Sequence, residues 1–254
     1  MSVLEVDSAS ISFGGVRANH EVSIYVGEWE IVGVIGPNGA GKTTTFNIVT
    51  GFYQPDSGTV RFGGIDVTAL GVHERTALGL GRTFQNVGMV KGTTVRENLK
   101  SAQHLRAEYS TIAGMLGFPK TFRTEDDLTD RAERLVELLK LTELLDEQVA
   151  GLPYGDLKRV ELATVLATDP DVLLLDEPTS GMGPEESEEL GDTLLELRKD
   201  FGLSICMIEH HVPMVVRVCD YVYCLAFGQL LAEGKPDEVR QHPEVIKAYL
   251  GDEG

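Results

Sequence analysis

The stretch that decides the fold is Gly36-Pro37-Asn38-Gly39-Ala40-Gly41-Lys42-Thr43, which follows five apolar residues, Ile31 to Ile35. A run that is apolar at every position is typical of a strand covered on both faces. A helix is predicted from Lys42 to Thr50, because Gly51 stands directly after it in the position that favours glycine. The motif G-x4-G-K-[ST] therefore lies between a buried strand and a helix, as a phosphate-binding loop requires.

Each part of this loop has a predicted role toward a nucleoside triphosphate. Glycines let backbone N–H groups approach the β-phosphate, and the start of the helix adds partial positive charge. Lys42 is predicted to bridge the β- and γ-phosphates, and the Thr43 hydroxyl to ligate Mg²⁺. An ordinary glycine-rich turn is the alternative, but it does not account for the whole motif. The predicted nucleotide-binding residues here are Gly36, Pro37, Asn38, Gly39, Ala40, Gly41, Lys42, Thr43 and Thr44.

Two adjacent carboxylates follow a second apolar run, Val172 to Leu175. In open α/β sheets, ligands bind at the carboxyl ends of the strands. We expect Asp176 to belong to the magnesium shell and Glu177 to act as general base on the attacking water. The alternative is an acidic strand end, or a helix cap ahead of Pro178, which the upstream phosphate loop makes the weaker interpretation.

Composition excludes several classes of function. The 254 residues are 42% hydrophobic, which allows a full core, and the formal charge of −18 opposes binding to nucleic acid or to anionic membranes. Neither a signal peptide nor a membrane-spanning run is recognisable, so we expect an unsecreted, soluble, cytoplasmic chain. Cys206, Cys219 and Cys224 lie in apolar runs, which predicts reduced core thiols.

The pattern of apolar and charged residues changes twice along the chain. Short apolar or alternating runs predict strands at Ser10 to Phe13, Val22 to Val26 and Thr59 to Phe62. Between residues 86 and 165 the sequence is leucine-rich and charged, which favours helices, including one from Arg131 to Leu145. Alternating strands and helices then return. This order predicts a helical lobe inserted into an α/β core with a parallel sheet.

Further motifs make the chain resemble the ATP-binding subunits of ABC transporters. They are Arg82-Thr83-Phe84-Gln85-Asn86, Leu152-Pro153-Tyr154-Gly155-Asp156, and His210 after an apolar run. The resemblance implies an α/β P-loop NTPase of the ABC-ATPase fold, with a RecA-like core, an antiparallel β subdomain and an inserted helical subdomain. It implies one ABC ATPase domain over 1–254, divided into a catalytic core, 1–85 and 166–254, and a helical subdomain, 86–165.

The resemblance also implies roles for individual residues. Gln85 would contact the metal and the attacking water, and His210 would hold the γ-phosphate and orient that water. The aromatic ring of Phe13 would stack on adenine, although a core phenylalanine is the alternative. Pro153, Tyr154, Gly155 and Asp156 would be the signature presented to ATP on the opposite subunit. The segment from Ser180 to Pro184 would lie where the two subunits touch.

Five features carry a narrower resemblance: Ile35 to Thr45, Arg82 to Asn86, the aromatic third position of the signature, Ile208-Glu209-His210, and the ending Pro243 to Gly251. Within that superfamily, the chain most resembles the larger ATPase of branched-chain amino-acid importers, while urea and amide importers use similar subunits. The implied cofactors are ATP and Mg²⁺. The implied partners are a second ABC ATPase subunit, in a homo- or heterodimer, transmembrane permease subunits, and indirectly a substrate-binding protein, at the cytoplasmic face of the membrane. Pro153 and Asp156 depart from the usual serine and glutamine of the signature, and Gly183 departs from the usual acidic or amide residue.

Three other functions are weighed against this one. A soluble ABC ATPase acting on ribosomes or DNA is disfavoured by the acidic charge and the single cassette. An ATP-clamped subunit without catalysis is favoured by the altered signature and opposed by Glu177 and His210. A P-loop kinase or GTPase leaves Gln85, the signature and His210 unexplained.

Overall fold

The computed structural model describes residues 2–83, 89–115 and 125–250, with side chains described outside 106–130 and 250. The strands are β1 (Ser2–Phe13), β2 (Val16–Gly27), β3 (Ile31–Ile35), β4 (Ser57–Phe62), β5 (Ile65–Asp66), β6 (Leu80–Arg82), β7 (Val172–Asp176), β8 (Ser204–Ile208), β9 (Tyr221–Ala226) and β10 (Gln229–Gly234). The helices are α1 (Lys42–Val49), α2 (Val72–Ala77), α3 (Val95–Met115), α4 (Glu125–Leu138), α5 (Tyr154–Leu166), α6 (Pro184–Phe201), α7 (Val212–Val218), α8 (Pro236–Arg240) and α9 (Pro243–Leu250).

The chain divides into two compact units. The first consists of Met1–Val72 and Leu174–Gly254, and the second of His73–Leu173. The range predicted for the helical subdomain, 86–165, falls within the second unit. The assignment of the two parts as catalytic core and helical subdomain stays a prediction.

The first unit contains two sheets. One is antiparallel, with strand order β2-β1-β4-β5, and the other includes the order β10-β9-β3-β8-β7. Strand β3 pairs in parallel with both β8 and β9, so its neighbours cover both of its edges. All five residues of β3 are buried, as its apolar sequence predicts. The hairpin of β9 and β10 was not assigned from the sequence.

Three strand ends meet at one edge of this sheet. Val34 of β3 pairs with Ile208 at the end of β8, and the backbone N–H of Glu177, just after β7, donates to the Ile208 carbonyl at 2.9 Å. The loops that follow β3, β7 and β8 therefore begin side by side. This edge brings the predicted phosphate loop and the predicted catalytic residues together.

The sequence of α6 contains Leu190, Leu194 and Leu197, a spacing that predicts one buried helix face, and the structure buries two of the three. Leu194 and Leu197 are fully buried, whereas Leu190 is only half-buried. Gly191 takes the buried position instead, and a Cβ atom there would lie 3.2 Å from the Met214 sulfur on α7. The absence of a side chain at this position lets the two helices approach closely.

The second unit is built mainly from helices. The start of α3 is joined to a later segment by the backbone bond from Val95 N–H to Glu147 O at 3.1 Å. Helix α4 ends at Leu138, earlier than the predicted Leu145, and Lys140 then adopts a left-handed φ of 55° that stops a right-handed helix. In the same unit, the N–H of Asp171, the residue before β7, donates to the carbonyl of Gly79, the residue before β6, at 2.8 Å.

The cysteines behave as the sequence predicts. All three are free and buried. Burial raises the pKa of Cys206 to about 12 and that of Cys224 to about 11, so both thiols stay protonated at neutral pH. In the part of the chain that the structure describes, no helix is both long and apolar enough to cross a bilayer.

A matched pair of substitutions tests the packing of α6. We expect Leu194→Ala to lower the free energy of unfolding by about 2–5 kcal/mol, because it leaves a cavity in the core. Leu190→Ala, on the same helix but half-exposed, should cost less than about half as much. Urea denaturation followed by circular dichroism measures both, and equal losses would contradict the assigned buried face.

Candidate active site

The shape of the phosphate loop depends on three glycines with positive φ. They are Gly36 at 144°, Gly39 at 80° and Gly41 at 97°. A Cβ atom on Gly36 would lie 2.1 Å from the carbonyl oxygen of Leu225, and one on Gly41 would lie 2.8 Å from that of Ala18. The loop can pass these two backbones only because neither residue has a side chain. A Cβ atom on Gly39 would have no other atom within 4 Å, so the space beside this residue is open.

Lys42 begins α1 and folds back over the loop. Its Nζ donates to the carbonyl of Gly36 at 2.6 Å and to that of Pro37 at 3.0 Å, and the side chain is only 7% exposed. Burial lowers the pKa of Lys42 from its ordinary value, while the negative charges of Glu177 and Asp176 act in the opposite direction. The ammonium is thus held at the loop by carbonyl groups and faces two carboxylates.

The two carboxylates stand at the end of β7 in different backbone conformations. Asp176 is the last residue of the strand, whereas Glu177 has a φ of 50°. Left-handed backbone is unusual for a residue other than glycine, and such strain is found disproportionately at functional sites. The extended backbone of the strand therefore stops between these two residues.

His210 and Phe13 lie in exposed positions of the same unit. His210 follows β8, and its backbone N–H donates to Oε2 of Glu209 at 2.9 Å. Phe13 ends β1 with 44% of its surface exposed, and its ring meets that of Tyr53 edge-on at 5.0 Å between centroids. An exposed ring has a face available for stacking, so the structure is compatible with an adenine contact at Phe13.

The predicted signature lies at the start of α5 in the second unit. Pro153 is the residue before the helix, and no side chain caps the helix there. Tyr154 is 57% exposed, with the Lys158 ammonium 5.1 Å from its ring centroid. Asp156 forms an ion pair with Arg159 one turn later. Gly155 follows Tyr154 in the first turn of the helix. The N–H groups at the start of a helix have no partner within it, and here no side chain caps them.

Some predicted site residues cannot be placed. Gln85 lies outside the described residues, together with Phe84 and Asn86.

Thr43 is exposed on the first turn of α1 and Thr44 is half-buried beside it. The hydroxyl of Thr43 and the carboxylate of Asp176 are hard oxygen donors that suit Mg²⁺. Among the residues whose side chains are described, no cluster of three or more His, Cys, Asp or Glu offers a metal site made by protein alone.

Sequence reasoning assigned no supporting role to three residues that hold the loops: Asn19, Glu209 and Tyr249. Asn19 is fully buried, and its side-chain amide donates to Thr45 Oγ1 at 3.0 Å and to the Gly41 carbonyl at 3.3 Å. No sequence motif marks Asn19, because its partners are more than 20 residues away in the chain. Glu209 could have been noticed as a charge beside an apolar strand.

Tyr249, on the C-terminal helix α9, reaches the first residue of the phosphate loop. Its hydroxyl accepts a hydrogen bond from the backbone N–H of Gly36 at 2.8 Å, across 213 residues of sequence. Burial raises the pKa of Tyr249 to about 12, so the hydroxyl stays protonated at neutral pH. The helix borders a cavity of about 430 Å³ that is also lined by Ile35 and His210. This hydrogen bond therefore links the start of the phosphate loop to the C-terminal helix.

Comparison with known proteins identifies the family of this chain. A family model described as ABC transporter matches residues 19–180. The chain belongs to the ABC transporter family. A second model, described as branched-chain amino acid ATP-binding cassette transporter, matches residues 229–254 of this ABC protein.

Individual relatives match this ABC protein over nearly its whole length. LivG of Salmonella typhimurium, named a high-affinity branched-chain amino acid transport ATP-binding protein, is 40% identical over 98% of each chain. BraF of Pseudomonas aeruginosa, with the same description, is 39% identical over 98% of each chain. The crystal structure of the ADP conformation of an ATP-binding cassette of an ABC transporter has a TM-score of 0.84 at 32% identity and covers 99% of this chain and 100% of that one. The predicted fold class and family are confirmed, and the chain is an ATPase.

Removal of one hydroxyl tests the contact from α9. We expect Tyr249→Phe to raise the Kd for ATP about threefold to tenfold, because the Gly36 N–H loses its partner and the start of the loop is less fixed. Isothermal titration with ATP measures this change. Tyr25→Phe is the control, since Tyr25 is similarly exposed, at 41%, and lies on β2 in the antiparallel sheet. Equal affinities in the two variants would show that the hydroxyl does not support the loop.

Proposed function

We propose that this ATPase powers an ABC importer of branched-chain amino acids. The observation that carries the proposal is the similarity, over 98% of both chains, to LivG, a protein named for branched-chain amino acid transport. The match of residues 229–254 to a model with the same description supports it at the C-terminus. No residue described above contacts a cargo, so the amino-acid class follows from these relatives.

In the proposed reaction, the chain's own residues bind the phosphates and direct water. Loop amides around Gly39 and the ammonium of Lys42 would stabilise the β- and γ-phosphates. Mg²⁺, held by Thr43 and Asp176 with Gln85, would supply positive charge against the phosphate oxygens. Glu177 would accept a proton from the attacking water, while His210 would hold the γ-phosphate in position.

The site is proposed to be completed by a second ABC ATPase subunit, in a homo- or heterodimer. Two ATP molecules would lie between the subunits, each facing the signature, Pro153 to Asp156, of the opposite one. Pro153 supplies neither a hydroxyl nor an N–H, and the Asp156 carboxylate is paired with Arg159. We therefore propose that this chain gives its partner's ATP a weaker signature than the usual one, while keeping its own catalytic side intact.

The proposed location is the cytoplasmic face of the membrane, through contact with permease subunits. A formal charge of −18 opposes direct binding to anionic lipid headgroups, so attachment through protein is the physically favoured route. ATP binding would close the ATPase dimer, and loss of the γ-phosphate contacts would reopen it. A substrate-binding protein would deliver the amino acid from the other side.

Replacement of the proposed base separates an ATPase from an inert ATP clamp. We expect Glu177→Gln to abolish steady-state turnover, by about a thousandfold or more, and to trap an ATP-bound dimer. Phosphate release and size-exclusion chromatography with ATP measure the two effects. Glu185→Gln, an exposed residue in the first turn of α6, is the control. Unchanged turnover in Glu177→Gln would refute the assigned base.

Replacement of the loop lysine tests binding rather than chemistry. We expect Lys42→Ala to weaken ATP binding by about tenfold or more, since a buried ammonium at the phosphates is lost. Lys199→Ala, on the exposed side of α6, should leave affinity unchanged. Titration with labelled ATP checks both, and wild-type affinity in Lys42→Ala would contradict the phosphate-loop assignment.

The cargo is tested by reconstitution with the permease subunits that co-purify from solubilised membranes. We expect ATP-dependent uptake of labelled leucine or valine, lost with Glu177→Gln, and no uptake of labelled urea. Urea uptake without leucine uptake would replace the proposed cargo and leave the ATPase assignment standing.

A further inference from the structure

Glu209 is a fully buried carboxylate at the end of β8, next to His210. Its Oε1 accepts hydrogen bonds from the N–H of Thr179 at 2.9 Å and from the Thr179 hydroxyl at 2.6 Å. Its Oε2 accepts from the N–H of His210 at 2.9 Å and from that of His211 at 3.0 Å. One side chain thus receives donors from two separate loops.

Such an arrangement needs a reason, because a carboxylate loses favourable hydration when it is buried. Hydrogen bonds to an ionised acceptor are the strong ones, and both oxygens of Glu209 are satisfied here. A neutral side chain of similar size could fill the same space without this cost. What only an ionised carboxylate offers is acceptance on two sides at once.

The two loops joined by Glu209 carry the two residues that the proposed mechanism places on water and the γ-phosphate. Thr179 follows Glu177 by two residues, and the loop closes on itself through the Ser180 N–H to Glu177 carbonyl bond at 3.1 Å. His210 lies on the other loop, directly bonded to the carboxylate through its N–H. The Glu177 N–H donates to the Ile208 carbonyl next to Glu209, which adds a second link at 2.9 Å.

We propose that Glu209 is a positioning residue of the ATPase reaction, which holds the loop of Glu177 and the loop of His210 in a fixed position relative to each other. The proposal rests on the roles proposed above for Glu177 and His210. Glu209 itself is too buried to touch nucleotide or water. It acts through the two backbones, so that the base and the γ-phosphate contact stay aligned on one phosphate.

The continuation of the first loop extends this role. The N–H of Met182 donates to the Thr179 carbonyl at 3.0 Å, in the segment Ser180 to Pro184 that would meet the second subunit. A shift of that segment on dimer contact would pull on Thr179 and, through Glu209, on His210. The carboxylate would then transmit the closure of the dimer to the histidine.

The first test changes the acceptor, Glu209, and one of its donors, Thr179, in separate variants. Glu209→Gln keeps the shape but turns an NH₂ group toward donors on one side, and Thr179→Val removes only the hydroxyl donor. We expect kcat to fall about tenfold to a hundredfold in Glu209→Gln and about threefold to tenfold in Thr179→Val. The Kd for ATP should stay within about twofold of wild type in both, because Lys42 and the phosphate loop are untouched.

Two controls separate positioning from folding. Thr179→Ser keeps both donors and should restore kcat to near the wild-type value. Thr50→Val removes the hydroxyl of another buried threonine, which donates to the carbonyls of Phe46 and Asn47 in α1, and should leave kcat unchanged. Circular dichroism checks that each purified variant is folded, and Thr179→Val carries the test if Glu209→Gln does not fold.

The outcomes are distinct. A lower kcat with unchanged ATP affinity, restored in Thr179→Ser, supports the proposal. Wild-type kcat in folded Thr179→Val and Glu209→Gln overturns it, and so does a parallel loss of kcat and of ATP affinity, which marks a merely structural role. If Glu177→Gln also keeps full turnover, the assigned base is at fault, and the failure belongs to the proposed mechanism.

Discussion

The absence of a side chain at Gly36 is the constraint on which this structure depends. A Cβ atom there would lie 2.1 Å from the Leu225 carbonyl of β9, so any other residue would force the loop away from the sheet. Because the loop stays close, α1 begins at the edge where β3, β7 and β8 end. The loop at Gly39, the ammonium of Lys42 and the two carboxylates are all placed relative to that contact.

The polar groups at this edge fall into two sets. Lys42 donates to neutral carbonyl oxygens of its own loop, and the negative charges of Glu177 and Asp176 oppose the lowering of its pKa by burial. A triphosphate offers stronger, charged acceptors in the same place. Glu209 and Asn19 are completely buried, and both hydrogen-bond to backbone groups and threonine hydroxyls of the loops. In the proposed site, Lys42 would contact the nucleotide while these two residues fix the loops.

Much of the candidate site could be predicted because its residues are local in sequence. The strand Ile31–Ile35, the loop and the start of α1 are consecutive, and Asp176 and Glu177 follow an apolar strand directly. What sequence reasoning missed depends on distant partners: Tyr249 meets Gly36 across 213 residues, and Glu209 meets Thr179 across 30. Helix ends were also less predictable, since the stop after Leu138 depends on the left-handed backbone of Lys140.

The sequence by itself determined the class of fold, the phosphate loop and the pair of carboxylates, because each is a contiguous pattern whose physical requirement can be read from neighbouring residues. The tertiary structure alone decided which polar groups support that site. Burial and hydrogen-bond partners arise only when β7, β8 and the C-terminal helix are brought together, and no local pattern encodes them. Glu209 illustrates the difference, because its charge is visible in the sequence and its four donors are not.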